Sequence, residues 1–111
     1  MDRSRIIRLA DAQDRIPGPA GEHAVEMLQR GSLKLKLSMP VPPNVQSPHE
    51  QDELYVIMQG HGVLFHDGKR DSVAAGDAIF IAAGTEHHFE GFSKDLAVWV
   101  IFYGPIGGET H

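Results

Sequence analysis

The stretch His49-Glu50-Gln51-Asp52-Glu53-Leu54-Tyr55-Val56-Ile57-Met58-Gln59-Gly60 decides how the chain is read. Leu54 to Met58 has the β-branched and aromatic content of a buried strand, and Gly60 and Gly62 close it. His49 stands four residues before Glu53, at the entrance to that strand. In extended backbone, residues of equal parity share a face, so His49 and Glu53 can both point to the inside of whatever the strand encloses.

Outward from this stretch the chain reads as further short strands. Val63-Leu64-Phe65 stops at Asp67-Gly68, a tight-hairpin signal. Gly76-Asp77 opens another turn, and Ala78 to Ala82 is a short apolar strand. Gly84 breaks it and His87 to Phe89 resumes. Leu96 to Tyr103 is almost wholly apolar, which predicts a strand buried on both faces or paired with another subunit. On the N-terminal side, Ala24 to Arg30 and Ser32 to Met39 form a strand pair around Gly31. Leu33, Leu35 and Leu37 point one way there, and Lys34 and Lys36 the other. Pro40, Pro42 and Pro43 end the second strand. Ile6 to Gly21 ends in the loop sequence Pro17-Gly18-Pro19, and no amphipathic helix of useful length is expected. Strands of this length, with turn signals every eight to twelve residues or about that, predict an all-β sandwich or barrel.

At 111 residues the chain has the size of one domain, expected to span 1–111, with 1–22 as an N-terminal arm and 104–111 as a flexible tail. Net charge is -5. The basic group Arg3, Arg5 and Arg8 is matched by Asp2, Asp11 and Asp14, which reads as a solvated face, so no nucleic-acid partner is expected. There is no cysteine, which excludes disulfides and thiolate chemistry. No apolar run is long enough to cross a bilayer, and a cytoplasmic protein without a membrane partner is the expectation. No serine elbow, phosphate loop or dinucleotide fingerprint is present.

Seven histidines occur, and two of them stand where a metal could use them. In Gly84-Thr85-Glu86-His87-His88, the glycine permits a sharp bend and alternation puts only one of His87 and His88 inside. His49, Glu53 and His87 then form a facial set of two imidazoles and one carboxylate that leaves positions open on a divalent ion. The competing reading is a polar cavity in which the same groups merely hydrogen-bond. His88 has the opposite parity and is expected at the surface. His23, His61, His66 and His111 fall at turns and ends and are expected in solvent. Asp52 is expected to point outward into a salt bridge. Tyr55, Ile57, Phe65, Phe80, Phe89 and Trp99 read as core or cavity lining, with Tyr55 and Phe89 as walls of the site.

These residues resemble the cupin family. Its first motif ends in histidine, three residues, glutamate, six residues and glycine, matched by His49, Glu53 and Gly60. Its second motif is matched by Gly76, Gly84 and His87, with Asp67-Gly68 at the hairpin between the two. The likeness covers roughly Lys34 to Tyr103. Ser47 stands where the family commonly has a second histidine, Ala82 replaces a proline, and Gly91 replaces an asparagine. Gln46, Gln51 or water is left to fill the place of that histidine. The resemblance implies a double-stranded β-helix barrel, one divalent metal (Fe, Mn, Zn or Ni) and a homodimer. It also implies a small-molecule ligand, either turned over or simply held. Isomerase, decarboxylase, cyclase and dioxygenase chemistry on a small anionic or enol-bearing metabolite are all compatible with it.

Overall fold

A computed structural model describes residues 3–44 and 46–110; Asp2 and His111 lie outside the described residues. Eight strands follow one short helix: α1 (Leu9–Gln13), β1 (Ala24–Arg30), β2 (Leu33–Ser38), β3 (Asp52–Gln59), β4 (His61–His66), β5 (Lys69–Ala74), β6 (Ala78–Ile81), β7 (His87–Glu90) and β8 (Ala97–Tyr103). They form a five-stranded sheet in the order β1-β2-β8-β3-β6 and a three-stranded sheet in the order β5-β4-β7. Every pairing is antiparallel. The expected all-β barrel is therefore the fold observed.

Two local features set the path of the chain. Asp67 and Gly68 both adopt positive φ, the geometry of a tight turn whose twist matches its flanking strands. That turn folds Lys69–Ala74 onto β4 even though Lys-Arg-Asp-Ser has no apolar alternation, so β5 is a strand that periodicity does not reveal. At the end of β3, Gly60 has φ of 78°. A Cβ there would lie 2.9 Å from Leu96 Cα, 2.8 Å from Asp95 Oδ1 and closer still to Ser93 Oγ.

The barrel interior holds Tyr55, Ile57, Leu64, Val73, Ile81, Phe89, Leu96, Val98, Val100 and Phe102. A second apolar cluster lies on the outer face of the five-stranded sheet. Ala12, Leu37 and Ala97 are fully buried there among Leu9, Ile16, Val25, Met27, Met39 and Trp99. The N-terminal segment thus contains a helical turn, too short for a periodic signature, that covers part of the surface expected to face another subunit. Leu37 belongs to this outer cluster, while Lys34 and Lys36 pair with Phe102 and Val100, whose side chains face inward. The lysine face of β2 is the inner one.

Some aromatic residues also sit elsewhere than expected. Trp99 is in the outer cluster, Phe80 is 57% exposed, and Phe65 packs beneath His88 and Arg70 on the far side of β4. Asp52 does point away from the interior, but among the described residues it forms no salt bridge, and it is buried. Its carboxylate accepts backbone N–H bonds from Glu109 and Ala83, each at 2.9 Å, because the loop after β6 and the C-terminal segment fold over it. Those two bonds hold the Asp52 carboxyl below its ordinary pKa. Their contribution to stability is present above the usual carboxylate range and is lost as pH falls through the lowered value. The C-terminal segment is held at further points: Gln51 Nε2 donates to Gly104 O at 2.9 Å, and Gly107 N to Glu50 O at 2.7 Å.

Gly60→Ala forces a side chain into a left-handed conformation and against backbone. It is expected to destabilise the fold by at least about 2 kcal/mol, read as a lower denaturant midpoint at unchanged slope.

Candidate metal centre

Three segments bring His49, Glu53 and His87 together across the two sheets. Glu53 is the second residue of β3, held between Ile81 of β6 and Phe102 of β8. His87 opens β7 opposite His66 of β4. His49 lies in the extended stretch before β3, and its carbonyl accepts the Gly84 N–H at 2.8 Å. That bond ties the His49 segment to the bend from which His87 emerges. Each of the three residues offers a ligand atom, and all three atoms lie within 4.8 Å of one another.

His87 Nε2 approaches Glu53 Oε1 to 2.7 Å, and His49 Nε2 lies 3.8 Å from Glu53 Oε2. Glu53 and His87 are each 1% exposed. Despite the short contact, both Glu53 oxygens and His87 Nε2 lack an aligned hydrogen-bond partner. A buried carboxylate without a donor costs several kcal/mol unless a cation compensates it. The second nitrogen of His87 is committed, since Nδ1 donates to the Thr85 carbonyl at 2.8 Å. That bond orients the ring so that Nε2 faces Glu53, as is usual for a metal-bound imidazole. The buried donor atoms and the mixed nitrogen–oxygen set fit a divalent ion.

The electrostatics differ between the two imidazoles. Burial is the largest influence on both and opposes their charged forms. At His49 it prevails over the attraction of Glu53; with the positive charges of His87 and Lys36, it brings the pKa below the ordinary value. At His87 it is outweighed by the Glu53 contact and the Thr85 carbonyl, and the pKa is raised. Tyr55 is pushed far above its usual range by burial and by the Glu53 carboxylate, so its hydroxyl keeps its proton.

A cavity of about 210 Å³ adjoins His49 and is walled by Tyr55 and Phe89, as their parity predicts, with Phe102 and Val100 behind them. Tyr55 stacks on Phe89 with centroids 5.4 Å apart and donates to Gln46 Oε1 at 3.2 Å. Gln46 Nε2 bonds Asn44 Oδ1, which also accepts the Phe89 N–H. Gln46 therefore stands in the cavity wall. Gln51 is turned away, donating to Ser32 O and Gly104 O. Ser47 is exposed. Lys36 and Asn44 also line the cavity, and neither is singled out by the sequence. The lysine's parity was legible, but which face of β2 points inward depends on its pairing with β8. His88 is partly exposed, stacked on Phe65 and paired with Glu90 at 2.9 Å, while His66 pairs with Asp71 at 2.7 Å. Neither His66 nor His88 belongs to the three-residue group.

Residues 38–103, more than half of the chain, match a family model described as "Cupin domain". The chain belongs to the cupin family. An uncharacterised protein of Streptomyces coelicolor is 37% identical over 60 residues, covering 54% of this chain and 57% of that one. This chain thus aligns with little more than half the length of that relative. A cupin 2 conserved barrel domain protein of Salinispora arenicola superposes with a TM-score of 0.67 at 18% identity, covering 91% of this chain and 90% of that chain. A DMSP lyase of Ruegeria pomeroyi gives 0.66 at 18% identity, covering 79% of this chain and 50% of its own. At that identity the likeness concerns the fold.

In metal-free protein the two imidazoles should titrate apart, His87 above and His49 below the ordinary value of 6.5. The raised value means that the His87–Glu53 attraction contributes stability below 6.5, lost as pH rises through the folded-state pKa. Histidine-detected NMR titration measures both midpoints. The expected result is that order; coincident midpoints would contradict the geometry.

Proposed function

We propose that this barrel binds one divalent ion (Fe, Mn, Zn or Ni) on His49 Nε2, His87 Nε2 and the Glu53 carboxylate, and that a small anionic or enol-bearing molecule binds beside it. The observation that carries the reading is the set of buried, partnerless donor atoms of Glu53 and His87. A divalent ion held by two neutral imidazoles and one carboxylate keeps about one net positive charge and open positions, and supplies Lewis acidity toward oxygen donors. The chain's own residues do the rest. Thr85 fixes the His87 ring, Phe89, Val100 and Phe102 exclude water, and Tyr55 keeps a neutral hydroxyl at the cavity wall. Such a site suits isomerase, decarboxylase, cyclase or dioxygenase chemistry.

A second reading, a barrel that holds its ligand without turning it over, has one observation in its favour. Beyond His49, the described residues lining the cavity include no carboxylate or further imidazole to move a proton. Recovery of a stabilising small acid unchanged after incubation with metal-loaded protein supports holding, and recovery of a product supports catalysis.

Protein purified without a chelating tag should carry close to one equivalent of divalent metal by elemental analysis. Glu53→Gln should lower metal affinity by about 10- to 100-fold or more. Unchanged metal content in that variant would refute the ligand assignment.

We further propose that two copies of the barrel associate through the outer face of the five-stranded sheet. Leu28, Leu35, Ile101, Leu54 and Phe80 are register partners across all five strands and form an apolar row that the N-terminal cluster does not include. Burying such a row against its symmetry mate is the simplest way to remove it from water. Light scattering should give a dimeric mass for the native chain and a monomeric mass for Phe80→Glu at micromolar concentration. A monomeric native chain would refute the association.

A further inference from the structure

One charged wall of the cavity is unexplained by the His49, Glu53 and His87 group. Lys36 lines the cavity, and it also lines a second opening that reaches His49 past Lys34, Gln51 and Ile106. Its register partner on β8 is Val100, a member of the barrel core. The position is therefore half-buried on the concave face, with Glu26 as its register partner on β1. Among the described residues Lys36 takes part in no ion pair, whereas its neighbour Lys34 reaches Glu26 at 3.8 Å.

We propose that Lys36 is the specificity residue for the ligand, pairing with a carboxylate at the end opposite the one held beside His49, Glu53 and His87. The inference rests on the metal reading above and narrows the ligand class to small acids with two anionic ends. One end is a chelating head, such as a 2-oxo acid, and the other is a carboxylate separated from it by a short apolar spacer. The apolar spacer matches the Phe89, Val100 and Phe102 part of the cavity lining, which Ser38, Asn44 and Gln46 complete with polar groups, while the Tyr55 hydroxyl already donates to Gln46. A volume of about 210 Å³ limits the ligand to a small metabolite, below the ~300–1,000 Å³ of sites for drug-sized molecules. Lysine suits this task as a compact charge on a flexible apolar stem, which can lie along Val100 while its ammonium meets the carboxylate.

The test compares 2-oxoglutarate with 2-oxovalerate, which share a chelating head and chain length and differ in the distal carboxylate. Both are titrated calorimetrically into Mn(II)-loaded protein, with metal content measured on every variant. The native chain should prefer the diacid by about tenfold, equivalent to about 1.4 kcal/mol. Lys36→Met should abolish that preference while keeping its metal, and Lys36→Arg should keep most of it. A native chain without the preference overturns the inference, as does a preference that survives Lys36→Met. Loss of metal in Lys36→Met also overturns it, because the lysine would then act on the ligand set. Failure of the metal reading is seen separately, as a native chain that takes up no Mn(II), and it removes this inference with it.

Discussion

The Glu53 carboxylate faces the inside of the barrel with almost no solvent, met at close range by His87, and much of the molecule is arranged around that charge. Burying a carboxylate in this way costs more than any single apolar contact returns, so the site calls for a compensating cation. His87 is brought to 2.7 Å by β7, and its outer nitrogen is held by Thr85 so that the free one faces the carboxylate. His49 arrives from the opposite side on a segment tied to Gly84. In metal-free protein the Glu53 carboxylate and the Thr85 carbonyl outweigh burial, favour a proton on His87 and raise its pKa, while burial lowers that of His49. A divalent ion would take the place of that proton with greater charge and more ligands.

The same strand serves two faces with two carboxylates. Glu53 points inward to the site, and Asp52 points outward, where it accepts N–H bonds from the loop before β7 and from the C-terminal segment. Alternation along β3 thus couples the site to the closing of the barrel edge, since Ala83 precedes Gly84 and the bend to His87. The end of the chain, rich in glycine and read from sequence as flexible, is held against Glu50, Gln51 and Asp52. These contacts are with backbone or with a carboxylate remote in sequence, and composition carries no trace of them.

β2 shows how a clean pattern can leave the decisive question open. Its leucines and lysines alternate, and a single strand next to water would bury the leucines and solvate the lysines. Here the outer face is covered at Leu37. Leu37 packs outside, beneath the helical turn of the N-terminal segment, and Lys36 is left on the concave side beside Val100.

Much of the barrel was legible because strand content, glycine turns and the spacing of His49, Glu53, Gly60, Gly76, Gly84 and His87 are local properties of a chain. Face parity placed His49 with Glu53, separated His87 from His88, and put Tyr55 and Phe89 at the cavity wall. Parity says which side chains share a face, and nothing in it says which face is inside or what lies over the other. The inward Lys36, the buried Asp52, the outer positions of Trp99 and Phe80, and β5 with its charged sequence all depend on partners distant along the chain. By itself the sequence determined the barrel and most of its strands, and it brought forward His49, Glu53 and His87 as the candidate donors. Only the tertiary structure decided which of the remaining polar residues meet them, because register between strands is settled by packing and not by any one strand.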